Sequence, residues 1–144
     1  MKNFVLAVFL LALTTVGFAQ DARRSADGTC AVFPCVVATL SVTNQTVPVS
    51  ETALFTPTTS GLFRVTVYME SSAIQGSVWS LQFKNTDDLK KRSGSIVQVA
   101  PGQLLSGVSV YRDVAGQPIT YTVAQVKVGE GAFYDLFVTV EQLQ

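Results

Sequence analysis

The amino-acid sequence predicts an all-β protein, an antiparallel jelly-roll β-sandwich of about eight strands preceded by a signal peptide. Three observations lead there. From Val36 onward, Val, Thr and aromatic residues recur in short runs that alternate apolar and polar at period two. Turn formers interrupt these runs at short intervals, and no stretch carries the apolar periodicity of an amphipathic helix. In FTPTTSGLFRVTVYME, Phe55 to Glu70, an extended segment ends at a proline, crosses a polar link and re-enters a long amphipathic strand through Gly61. Such a corner suits a strand that passes between two facing sheets.

The first residues set the compartment. Lys2 supplies a positive n-region, Phe4 to Leu13 (FVLAVFLLAL) an uncharged apolar core, and Gly17 and Ala19 the small residues before a cleavage site at Gln20. This core is shorter than the roughly 20 residues of a membrane span. No cysteine follows the site directly, which argues against a lipoprotein anchor, and no later stretch is apolar enough to cross a bilayer. The expected organisation is a signal peptide over 1–19, a lead-in with a disulfide loop over 20–35, and one sandwich domain over 36–144. The expected location is secreted, periplasmic or cell-surface.

Cys30 and Cys35 are the only cysteines, spaced CAVFPC. In an exported protein an even count reads as a disulfide, and Pro34 helps turn the short loop. Redox motifs usually space their cysteines more closely, and a zinc site would need ligands that a chain without histidine lacks.

The strands follow in order. Val36 to Val42 is the first, stopped by Thr43-Asn44-Gln45. Val47-Pro48-Val49 and Ala53 to Phe55 follow; Pro48 cannot donate to a ladder and belongs at an edge or bend. Leu62 to Glu70 is the clearest, with Phe63, Val65, Val67 and Met69 on one face. Val78 to Phe83 sets Trp79, Leu81 and Phe83 inward; Asn85 to Ser93 (NTDDLKKRS) reads as a charged loop. Ser95 to Val99 and Leu104 to Tyr111 come next, the latter with Gly107 as a bulge candidate. After the turn Asp113 to Gln117, Ile119 to Val126 points Ile119, Tyr121 and Val123 inward. Phe133 to Leu143 closes the chain with Tyr134, Leu136, Val138 and Val140 on one face and Phe137 on the other.

The absence of histidine removes Ser-His-Asp and Cys-His nucleophile sets. There is no G-x-S-x-G elbow, P-loop or G-x-G-x-x-G. No catalytic residue and no cofactor is therefore assigned. Carboxylates remain for acid–base work, with Glu70, Asp87, Asp88, Asp113, Glu130 and Asp135 to draw on. Asn85, Asp87 and Asp88 are oxygen donors for a calcium ion, opposed by Lys90, Lys91 and Arg92 beside them. Asn44-Gln45-Thr46 is an N-glycosylation sequon, relevant to a eukaryotic secretory pathway. Without Lys2 the charge is slightly negative and no large basic patch is left, which argues against nucleic acid as a partner. Tyr68, Tyr111 and Phe137 are candidates for outward-facing aromatics at an interface or sugar-binding surface.

Phe55, Pro57, Gly61, Leu62, Phe63 and Val65 resemble the signature of the C1q and tumour-necrosis-factor-like superfamily: an aromatic, a short turn, a glycine, then an aromatic in the next strand. AFYDLFVTVEQL, Ala132 to Leu143, is similar to the terminal strand of such domains. The whole also resembles short jelly-roll modules of phage fibres and of bacterial exported proteins. The resemblance implies a jelly roll and a homotrimer; no collagen-like stalk or coiled coil precedes the domain. The leading functional expectation is an exported, non-catalytic binding or adhesion module that presents loops to a protein or glycan ligand. A small carboxylate-dependent carbohydrate-active enzyme and a purely structural surface or virion component stay open beside it.

Overall fold

The computed structural model describes residues 30–144. The expected signal peptide, and residues 20–29 of the lead-in, lie outside the described residues. Nine strands make up the domain: β1 (Cys35–Gln45), β2 (Val49–Phe55), β3 (Gly61–Ser71), β4 (Val78–Asp87), β5 (Lys90–Ser93), β6 (Val97–Val99), β7 (Leu104–Asp113), β8 (Ile119–Lys127) and β9 (Tyr134–Gln142). One sheet has the order β1-β9-β3-β7; the other has β2-β8-β4, with β5 and β6 sharing the far edge of β4. Every pairing is antiparallel. Counting β5 and β6 as one interrupted strand, the chain crosses between the sheets at every connection except the β4–β5 hairpin, which stays within one sheet, and this is jelly-roll connectivity.

The alternation in the sequence sets the core. Phe63, Val65 and Met69 of β3 and Leu136, Val138 and Val140 of β9 meet Trp79 and Leu81 of β4 and Ile119, Tyr121 and Val123 of β8 between the sheets. Trp79 and Tyr134 lie 4.7 Å apart between ring centroids, and Phe55 and Phe63 5.6 Å. Each such side chain contributes about 1.5–3 kcal/mol by leaving water. The sheet edge at β2 accommodates Pro48, which sits in the link before it.

Three local expectations are corrected. Residues 85–93 are not a loop: β4 runs on to Asp87 and turns through Asp88 and Leu89 into β5, with Asp87 paired to Lys90. Asp88 and Leu89 both take positive φ (46° and 62°), as a two-residue hairpin that follows sheet twist requires. Gly107 is not a bulge, since β3 and β7 pair without a register shift from Gly61↔Asp113 to Glu70↔Leu104. The strand expected from Ser95 shortens to Val97–Val99, because the chain leaves the ladder at Gly94, whose N–H is held by the Phe83 carbonyl at 2.9 Å.

Cys30 is disulfide-bonded to Cys35 at the head of β1, with Cα atoms 6.0 Å apart. Both cysteines pack against the edge of the core. The bridge ties the start of the described chain to a strand whose first residue faces Gln142 of β9.

Candidate functional site

The face of the β1-β9-β3-β7 sheet turned away from the core presents every second residue of its strands. Register brings Ser41, Phe137, Tyr68 and Ser106 into one row across the sheet. Thr39, Thr139, Thr66 and Val108 form the next row. Glu141, Arg64 and Val110 follow on one side; Asp135, Glu70 and Leu104 lie on the other.

Tyr68 and Phe137 are about equally exposed, 37% and 39%, and stack edge to face with centroids 5.9 Å apart. Two aromatic rings left at the surface in contact with each other form a firm apolar patch, with Ser and Thr around it and the exposed Leu104, Val108 and Val110 along the β7 edge. The Tyr68 hydroxyl donates to Glu70 Oε2 at 3.1 Å, and that hydrogen bond, with some burial, holds the phenol above its usual range, so it stays protonated. Asp135, opposite Glu70, accepts the Asn44 N–H at 2.6 Å. On the other side of the pair, Arg64 Nε donates to Glu141 Oε2 at 2.6 Å, which lowers the Glu141 carboxyl below its ordinary value. A surface pair of this kind contributes at most about 1 kcal/mol to stability, so its effect is mainly to fix where the guanidinium points.

The far face of the other sheet is different. Glu51 accepts from Lys84 at 2.6 Å and from Thr120 at 3.1 Å, and both bonds lower its carboxyl. With Lys91 and Thr86 these residues line a polar hollow of about 100 Å³ that contains no aromatic residue. A larger groove of about 380 Å³ opens between the sheets at the β7 edge, lined by Val67, Leu81, Phe83, Val97 and Leu105 among others. Tyr111 is in this groove, half-buried against the core, and does not join Tyr68 and Phe137 as an outward aromatic.

Asn85, Asp87 and Asp88 are not gathered around one point. Asn85 is buried and donates its side-chain amide to the Arg112 carbonyl at 2.8 Å, while Asp88 sits in the hairpin turn. Among the described residues no group of three or more His, Cys, Asp or Glu side chains could hold a metal ion. Asp87 instead follows Thr86, whose N–H Asp113 accepts, so that its charge reaches Asp113, a relationship that sequence spacing does not reveal. Asp113 is fully buried and accepts the N–H groups of Thr86 and Val114 on one oxygen at 2.9 and 3.0 Å. Burial first, and the charge of Asp87 in addition, hold the Asp113 carboxyl above its ordinary value against those two donors. Of the other carboxylates considered for acid–base work, Glu70 and Asp135 face each other on the open sheet surface, with no enclosing cleft.

No family model matches this chain, and no curated protein matches it. Among solved structures the chain is similar to the Clostridium thermocellum N-terminal endo-1,4-β-D-xylanase 10B, CBM22-1–GH10 modules complexed with xylohexaose, at 12% identity and a TM-score of 0.41. The match covers 75% of this chain and 22% of that chain. The jelly roll implied by the resemblance to C1q-like domains is present without a match to any family model.

Proposed function

We propose that this protein is an exported, non-catalytic binding module whose ligand is a glycan held on the outer face of the β1-β9-β3-β7 sheet. The observation that carries this reading is the Tyr68–Phe137 pair, two rings in contact at the surface within a field of Ser and Thr hydroxyls. A sugar ring presents an apolar face and an equatorial belt of hydroxyls. The aromatic pair offers a surface for the first, and Glu70, Asp135 and the Arg64–Glu141 pair offer acceptors and donors for the second. The carboxylates of this face lie on an open sheet surface, with no cleft to exclude solvent in support of acid catalysis. Export rests on Lys2, the Phe4–Leu13 apolar core and the Gly17-x-Ala19 site, together with the Cys30–Cys35 bridge.

The test is affinity electrophoresis and calorimetry against soluble xylans, glucans, mannans and galactans. Retention by at least one of these, lost in Tyr68→Ala and Phe137→Ala with an unchanged circular dichroism spectrum, is the expected result. Absence of retention by all four classes, or retention that survives both substitutions, overturns it. A second reading covers the same face with another copy of the chain, as in the trimer that the C1q-like resemblance implies. It is favoured by Val108 and Val110 on the neighbouring edge strand, 62% and 56% exposed.

A further inference from the structure

Three hydrogen bonds tie the end of β4 to the end of β7 across the sandwich. Asn85 donates to the Arg112 carbonyl, the Thr86 N–H to Asp113 Oδ1, and the Val114 N–H to the Thr86 carbonyl. Asp87 and Asp113 are thereby brought together, both on the core side of their strands. The arrangement leaves one oxygen of each carboxylate stranded: Asp113 Oδ2 and Asp87 Oδ1 are buried and have no hydrogen-bond partner. The ion pairs among the described residues, Arg64–Glu141 and Lys84–Glu51, lie elsewhere. Lys90, although opposite Asp87 in the ladder, makes no ion pair with it. Two buried carboxylate oxygens with no cation and no donor, on side chains close enough for the charge of Asp87 to act on Asp113, are costly, and such orphans call for a bound species to satisfy them.

We propose that Asp87 and Asp113 hold a divalent cation, calcium by preference, which fastens the β4–β5 hairpin to the end of β7. The donors available there are hard oxygens, those of the two carboxylates. Oxygen donors without nitrogen or sulfur select calcium, magnesium or manganese over zinc and copper. Ligands supplied from two different sheets suit the flexible coordination of calcium better than the strict octahedron of magnesium, with water completing the shell. A doubly charged ion also balances the two carboxylates, which repel each other in its absence. Asp88 has no part in the site, being in the exposed turn.

The experiment compares melting of chelator-dialysed protein with and without millimolar calcium, for wild type, Asp113→Asn, Asp87→Asn and Asp88→Asn. Sites on extracellular modules bind calcium at roughly 0.1–1 mM, so a saturable rise of several degrees is expected in wild type and Asp88→Asn. Each of the other two variants keeps an acceptor oxygen but removes one charge, and the rise should vanish in both. Calorimetry with calcium chloride should show one site in wild type and none in Asp113→Asn. A wild-type midpoint indifferent to calcium and magnesium overturns the proposal, as does an unchanged rise in Asp113→Asn. If Asp113→Asn is itself more stable than a calcium-indifferent wild type, the two carboxylates share a proton instead, and the cation site is refuted.

Discussion

The space that a Cβ on Gly61 would fill is occupied by the carbonyl oxygen of Gln144. Gly61 does not have positive φ, so its necessity is one of contact and not of backbone strain. The same corner is stitched by Leu62 N–H to Gln144 O at 3.3 Å and by Leu143 N–H to Leu62 O at 2.8 Å. The glycine that sequence reading placed at a turn is where β3 begins and where the segment after β9 comes to rest.

Gly61→Ala should therefore destabilise the domain by about 1–3 kcal/mol, because the new methyl group meets backbone and not the end of a flexible side chain, so the Gln144 segment must shift and give up its bond to Leu62. Gly107→Ala is the control. Its Cβ would meet only Val67 Cγ1, at 3.9 Å, an ordinary contact, and it too lies in a paired strand. That substitution should be neutral or slightly stabilising. Urea titration of both variants checks the contrast; equal losses would mean that proximity to Gln144 is not the cause.

The Cys30–Cys35 bridge closes a loop with a sequence separation of 5. By loop-closure entropy so small a ring contributes about 2 kcal/mol. Since the bridge lies at the head of β1, where only its Cys35 end enters the ladder, Cys30→Ser with Cys35→Ser should lower stability by no more than that and leave the sandwich folded. Peptide mapping without reductant should recover both cysteines in one linked peptide. A double variant that expresses as an unfolded chain would contradict this account.

Tyr134 is buried beside Trp79, and its hydroxyl donates to the Val47 carbonyl at 3.4 Å. Burial raises its phenol far above the ordinary value of 10.0, with a smaller push from Tyr121. The folded protein thus keeps a proton that the unfolded chain loses, so stability is full below pH 10 and falls as pH rises above it. The loss at pH 11 is about 1.4 kcal/mol for one such group. Melting midpoints of wild type and Tyr134→Phe between pH 8 and about 11 should converge toward the alkaline end, because phenylalanine has no proton to lose. Parallel curves would show that Tyr134 does not carry the alkaline limb.

Much of the fold is legible in the chain because burial follows alternation. Phe63, Val65 and Met69, or Ile119, Tyr121 and Val123, could be set inward one strand at a time from period two alone. The β4–β5 hairpin was not legible. Its inner positions are Asn85 and Asp87, so the apolar rhythm stops while the ladder continues, and Asp-Leu is not the dipeptide that usually marks such a turn. Tyr68 and Phe137 could each be seen to face outward, but their meeting depends on the β3–β9 register, which no local pattern contains. Tyr111 shows the limit on one strand: its position in the alternation puts it on the core side, where the sandwich is open enough to leave it half-buried. The Asp87–Asp113 approach required both the extended hairpin and the interleaving of the two sheets.

Tyr68 and Phe137 should act as a unit. An edge-to-face pair contributes about 0.5–1.5 kcal/mol beyond the area it buries, so Tyr68→Ala and Phe137→Ala should cost less together than the sum of each alone. Urea titration of the three variants measures that coupling, and simple additivity would mean that the rings touch without cooperating. The same pair separates the glycan reading from the second-copy reading through Phe137→Ser. If the face binds glycan, wild type sediments as a monomer, its melting is independent of protein concentration, and Phe137→Ser loses polysaccharide retention while melting at nearly the same temperature. If a second copy covers the face, wild-type melting rises with concentration and the dependence disappears in Phe137→Ser. The hydroxyl-lined rows around the pair favour the first outcome, because Ser41, Ser106, Thr66 and Thr139 would gain little from a dry protein interface but can each exchange a water for a sugar hydroxyl.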